Sequence, residues 1–404
     1  MDISAAGRPV ARRRVFYIPG YDPIHPRRYR ELYRKEAAAQ AKISGHAIRL
    51  SPGGGAGRFG WHVDARVEGA DVTADVDVLV WSDIVKASMG HGIAATYWQL
   101  ARTAWTYIAT GALFRLMRLR KGPVIAALYP VGFLLLQLVL ALLLAWAAGR
   151  LLALAHPWAA WAGLAVVPLV LGWFRRRDNR FYAYYLMHDY AYSAQFKGAN
   201  PPALEARLAV FTDAIADALA DDVDEVLVVG HSSGAHLAVT CLADLLRAGR
   251  VPDDGPALSL LTLGQVIPMV SVLPRADRLR ADLAYLCTRP EITWVDVTAP
   301  GDGCAFALCD PVAVSGAAPA KGKRWPLVLS AAFTQTLSPA RWRALRWRFF
   351  RLHFQYLCAF DRPGDYDYFA ITAGPRSLAD RFAGRAPSPS RIERPVVRVR
   401  EASA

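Results

Sequence analysis

The stretch Gly230-His231-Ser232-Ser233-Gly234 follows an apolar run, Val226 to Val229, and passes straight into a helix-like pattern from Ala235 to Arg247. Packing alone does not call for two glycines bracketing a serine. A tight strand-to-helix turn does. Glycine at 230 and 234 removes Cβ atoms that would clash there, the Ser232 hydroxyl is left exposed above a sheet, and the Ser233 N–H points at a developing oxyanion. Such a serine needs a base to take its proton and an acid to orient the base, in the chain order serine, acid, histidine. Of nine histidines, only His353 lies beyond the next plausible strands. His231 and His236 are local to the turn and read as packing residues. Asp302, in a glycine-bordered loop after the apolar run Ile292 to Val297, is the first choice of acid and Asp310 the second. Asp296, inside that run, should point into structure. A second oxyanion donor should follow another strand end. "VFYIPGYDP" offers the N–H of Tyr21, with Gly20 permitting close backbone approach.

Several elements must position these groups. Arg14 to Ile18 reads as a short buried strand and Tyr29 to Lys42 as a helix. "HAIRL" and "WHVDARVEG" read as strands around the turn Pro52 to Gly57. That turn lacks the Gly-Lys-Ser/Thr ending of a phosphate loop and reads as a hairpin. Asp75 to Val85 reads as a central strand, and Ile93 to Arg120 as helical. After the elbow come Leu258 to Leu263 (strand), Ala276 to Leu286 (helix) and Ile292 to Val297 (strand). The alternation implies an α/β fold, a mostly parallel sheet with helices on both faces. "SPARWRALRWRFFRLHFQYL" reads as one basic, aromatic helix. His188 and Asp189 are adjacent on a helix and diverge, so they form no dyad.

Gly122 to Gly149 carries no formal charge, and Gln137 is its only strongly polar side chain. About 20 apolar residues span a bilayer core as helix. A second apolar stretch, Leu151 to Phe174, follows, and together they read as a transmembrane helical hairpin. Arg115, Arg118, Arg120 and Lys121 precede it, and Arg175, Arg176 and Arg177 follow it. By the positive-inside rule both flanks, and the rest of the chain, lie on the cytoplasmic face of an inner or cytoplasmic membrane. The alternatives are a buried hairpin in a soluble core and a re-entrant hairpin. The chain thus divides into residues 1–121 and 175–384 as two parts of one core, 122–174 as the hairpin, and 385–404 as a basic tail whose composition reads as disordered.

The formal net charge is +14 and 54% of the residues are hydrophobic. A basic balance points to anionic partners, and the apolar excess selects the lipid bilayer over nucleic acid, for which no recognition motif is present. The five cysteines include no CxxC pair, so neither a disulfide framework nor a zinc site is expected. The apolar run after the N-terminal arginines stops at Pro19-Gly20, too soon for a secretion signal.

"VFYIPGYDP", "VLVVGHSSG", "VDVTAPGD" and "LHFQYL" resemble, in order, the oxyanion loop, elbow, acid loop and histidine positions of the α/β-hydrolase superfamily, its lipases and esterases most of all. The resemblance covers most of the chain outside the hairpin and tail. It implies a serine acyl-enzyme mechanism on an acyl ester or thioester, without metal or organic cofactor. An acyltransferase would share that intermediate. A non-enzymatic membrane scaffold would keep only the fold.

Overall fold

A computed structural model describes residues 9–53, 57–90 and 92–397. Its strands are β1 (Arg12–Ile18), β2 (Ala47–Gly53), β3 (Gly60–Val67), β4 (Ala70–Val78), β5 (Glu225–His231), β6 (Ala257–Leu263), β7 (Ile292–Thr298) and β8 (Leu327–Ser330). They form one sheet in the order β2-β3-β4-β1-β5-β6-β7-β8. The pairs β2–β3 and β3–β4 are antiparallel, and every pair from β4 to β8 is parallel. The protein is therefore α/β with a mostly parallel eight-stranded sheet.

Strand alternation sends side chains to two cores. Phe16, Ile18, Val226 and Val228 face helices Pro202–Leu219, Gly234–Arg247 and Asp277–Leu286. Val15, Tyr17, Leu227 and Val229 face helices Arg27–Ser44 and Tyr368–Ala373. The connections leave β1 toward β4 on one side and leave β5 toward β8 on the other. The carboxyl ends of β1 and β5 thus flank the point where strand order reverses, the place where open α/β sheets leave a crevice. Ile18-Pro19-Gly20 and His231-Ser232 end there.

A buried ion pair fixes this junction from below. Arg13 Nε lies 2.6 Å from Glu225 Oε2, with neither side chain exposed. Arg13 also donates to the carbonyls of Gly374 and Arg376, and Glu225 accepts from Ser259 Oγ and the Leu378 N–H. Both charges are satisfied, so removing one strands the other. Glu225→Ala is expected to cost about 3–5 kcal/mol of stability, read as a lower urea midpoint of the detergent-solubilised protein. An unchanged midpoint would show that the pair contributes nothing.

Helix Lys121–Leu152 and the segment Pro157–Arg176 are each long and apolar enough to cross a membrane. Leu134, Gln137, Ala141, Ala145 and Gly149 form a buried seam along the first, while Leu136, Val139, Leu142 and Leu143 are exposed. A methyl group at Gly163 would lie 2.5 Å from the Ala145 carbonyl oxygen. The two limbs therefore meet backbone to backbone, a packing that small residues permit. Gln137, the one strongly polar side chain, lies in the seam and away from the apolar outer face.

Four expectations need correction. The strand placed at Asp75 to Val85 is β4, which ends at Val78; Leu79 and Trp81 are buried in a loop, and a helix begins at Ser82. The helix placed at Ile93 to Arg120 breaks at Gly111, which takes a left-handed conformation (φ 70°) between helices Ile93–Ala109 and Ala112–Met117. The basic, aromatic helix is two short helices, Pro339–Leu345 and Phe349–His353, followed by a 3-10 turn, Gln355–Leu357, and the Phe350 ring packs against Tyr182 and Tyr185. The tail is ordered through residue 397. The Ile392 N–H donates to the Leu308 carbonyl, the Val396 N–H to that of Val314, and both side chains pack on an apolar cluster. Residues 398–404 lie outside the described residues, as do 54–56 of the glycine-rich turn.

Candidate active site

Ser232 sits between β5 and helix Gly234–Arg247 with φ 57°, the left-handed region that a serine enters at a cost of about 1–3 kcal/mol. Its N–H donates to the Leu263 carbonyl, and its own carbonyl accepts from the Ala235 N–H. The flanking glycines are obligatory. A Cβ at Gly230 would lie 2.7 Å from Ala235 Cα, and one at Gly234 would lie 2.1 Å from the Ile18 carbonyl oxygen. The turn is thus wedged against the end of β1. A Cβ at Gly20 would stand 3.0 Å from Ser232 Cβ and 3.4 Å from its Oγ, so the Pro19-Gly20-Tyr21 backbone passes directly over the serine. Among the described residues neither the Tyr21 N–H nor the Ser233 N–H donates a hydrogen bond. The helix beginning at Gly234 adds its positive dipole end to the same place.

Asp302 and His353, 51 positions apart in the chain, are hydrogen-bonded: His353 Nδ1 lies 2.8 Å from Asp302 Oδ2. Both are buried. Tyr356 O–H also donates to Asp302 Oδ2, at 3.0 Å, and the Cys304 N–H donates to Oδ1 at 2.9 Å. Burial alone would raise this carboxyl. The opposing His353, Cys304 and Tyr356 outweigh burial and hold it below the usual carboxylate range. An ionised Asp302 fixes the proton of His353 on Nδ1 and leaves Nε2 its lone pair, the tautomer a general base needs. Gly264 makes room for this arrangement, since a Cβ there would meet Tyr356 Cε2 at 2.7 Å and His353 Cε1 at 3.1 Å.

His231 acts as a strut. Its Nε2–H donates to the His353 carbonyl at 3.0 Å, Tyr17 O–H faces its Nδ1 at 3.4 Å, and the His231 and His353 ring centroids are 4.9 Å apart. Burial, with His353 adding to it, lowers His231 to about 3, so it stays neutral. The His353 ring therefore packs on the residue before Ser232. Among the described residues Ser232 Oγ makes no hydrogen bond, and such contacts commonly close only with substrate in place.

The other acids have structural roles. Asp310 caps helix Pro311–Val314 through the N–H groups of Val312 and Ala313 and pairs with Lys323. Asp296 accepts from Thr262 Oγ1 and is pushed to about 8 by burial, so it is a neutral acid at pH 7. His188 bonds Gln99 rather than its neighbour Asp189. Asp189 is the residue that sequence spacing could not find. It lines a cleft with Tyr21, Ser233 and His236, and burial raises it to about 7 although His353 opposes the shift. A carboxylate on an otherwise aromatic helix, "YYLMHDYAY", was its only signal.

Asp302, Cys304 and His353 also bring three potential ligand atoms within 4.8 Å of one another. No spacing in the sequence announces this cluster. Burial and the nearby Asp302 and Asp189 raise the Cys304 thiol well above its ordinary value, so it holds the proton a metal must displace. His353 Nδ1 and Asp302 Oδ2 are already committed to each other. Comparison with protein-family models, with curated proteins and with solved structures gives no match.

Proposed function

We propose that this protein is a membrane-anchored serine hydrolase of the α/β-hydrolase type, acting on an acyl ester from the cytoplasmic face. The observation that carries the reading is the His353–Asp302 hydrogen bond, assembled from two distant segments beside a serine held at φ 57°. Ser232 Oγ attacks the acyl carbonyl as His353 Nε2 takes its proton. Asp302 keeps the imidazole oriented and stabilises the imidazolium without accepting its proton. The N–H groups of Tyr21 and Ser233 receive the oxyanion. His353 then protonates the departing alcohol, and a water activated by the same imidazole releases the acid from the acyl-enzyme.

The membrane half of the reading rests on the hairpin and its foot. A Cβ at Gly122, in the first turn of the apolar helix, would lie 3.4 Å from Gly303 of the acid loop, and Arg120 Nε donates to the Ala307 carbonyl. The hairpin thus starts against the loop that holds Asp302. Phe133 of the first limb meets Phe174 and Phe181 where the second limb ends, with Arg177 over the Trp173 ring. Aromatic and basic residues gather in this way where a helix meets headgroups. Exposed Trp347 and Phe349 sit on the basic segment beside the acid loop. A site so placed meets lipid esters where they are concentrated.

The full chain, purified in detergent, is expected to release p-nitrophenol from short acyl esters. It should stay with vesicles through alkaline carbonate washing. Absence of turnover would favour the scaffold reading, and carbonate release would remove the anchor.

A further inference from the structure

A narrow cleft beside Ser233 is walled by three aromatic rings. The centroids of Tyr21, Trp81 and Tyr192 lie 5.6–6.1 Å from one another. Two of the polar groups on these walls are already used: Trp81 Nε1–H donates to the Pro19 carbonyl, and Tyr21 OH bonds Ser88. Three others are unspent. Tyr192 OH and His236 Nδ1 are buried without a hydrogen-bond partner, and the Asp189 carboxyl makes no hydrogen bond among the described residues. His236 is 8% exposed, and burial lowers it to about 4, so it is neutral. Native proteins rarely leave such groups unpaired, because each costs about 1–3 kcal/mol. Two in one cleft, with the half-buried Asp189 carboxyl and the proposed oxyanion donor beside them, are the imprint of a polar ligand.

We infer that this cleft is the subsite for the alcohol half of the ester, and that it takes a neutral group bearing several hydroxyls, of glycerol or sugar type. The inference rests on the proposed esterase reading. Hydroxyls donate and accept, so one polyol can satisfy a carboxyl, a phenol and an imidazole nitrogen together, while its C–H faces lie on the rings. A phosphate finds no Lys or Arg among the lining residues and meets Asp189 instead. A quaternary ammonium suits the rings but has no hydrogen to offer the His236 nitrogen or the phenol oxygen, which would remain unpaired.

The test is calorimetric binding of 1-O-hexylglycerol, hexyl phosphate and hexyltrimethylammonium to full-length Ser232→Ala protein. Hexylglycerol should bind at least about tenfold more tightly than either charged probe. Adding Tyr192→Phe should weaken hexylglycerol by roughly three- to tenfold, and adding Asp189→Asn should narrow the gap to hexyl phosphate. Equal affinity for the three probes, or a preference for a charged one, overturns the inference. So does insensitivity of hexylglycerol binding to Tyr192→Phe, the result if ordered water satisfies these groups. No turnover is needed, so failure of the subsite and failure of the esterase reading are separable. A wild-type protein that hydrolyses esters without this selectivity retains the reading alone, and one that binds hexylglycerol selectively but hydrolyses nothing retains the subsite alone.

Discussion

Ser232→Ala is expected to lower kcat/KM on a short acyl ester by about 10⁴-fold or more, the scale of losing a nucleophile from a serine triad. Ser233→Ala, one residue on, should stay within about tenfold, because its proposed contribution is the backbone N–H that alanine keeps. The contrast is informative because both serines stand at the same turn. Ser232 alone has φ 57° and the Gly20 backbone across its hydroxyl. Alanine enters the left-handed conformation at much the same cost as serine, and Ser233 lies in the helical region, so both variants should fold, which the thermal midpoint checks. Equal loss in the two variants would point to damage at the turn instead of removal of a nucleophile.

Asp302→Asn should cost about 10⁴-fold in kcat with a smaller effect on KM. The amide would favour the imidazole tautomer with its proton on Nε2, where a base needs a lone pair. Acid stability supplies an independent readout. The folded pKa of Asp302 is depressed, so its ionisation contributes stability that is complete above the unfolded carboxylate value of about 4 and is lost as pH falls through the lower folded value. Asn removes that contribution, so the gap in stability between wild type and variant should be widest above about pH 4 and shrink on acidification. Asp310→Asn should act differently, weakening the helix cap and the Lys323 pair with kcat nearly intact. If Asp310→Asn abolished turnover while Asp302→Asn preserved it, the acid would be misassigned.

Local constraints explain what the sequence revealed. The elbow is readable because its glycines answer clashes within a few residues. The hairpin is readable because an uncharged run has few other uses. Long-range contacts explain what stayed hidden. Nothing between Arg341 and His353 breaks a helix by its sequence, and the partners of Phe350, Tyr182 and Tyr185, stand some 165 residues earlier. The Pro, Ser and Arg of "RAPSPSRIERPVV" read as disorder, and Ile392 and Val396 become order-forming only once the cluster around Phe306 and Val314 exists. Loop position favours Asp302 over Asp310 in the sequence. The reason for Asp310, a helix cap, involves the two residues just after Pro311 and was available in principle. Asp189 could not be found, because the cleft it enters is built from five separate segments.

Covalent labelling tests the central claim most directly. A fluorophosphonate applied to the full-length protein in detergent, followed by peptide mass spectrometry, should place a single adduct on Ser232, reduced by at least about tenfold in His353→Ala. An unmodified Ser232 under conditions that label a control esterase, or an adduct whose yield is indifferent to His353, would contradict it.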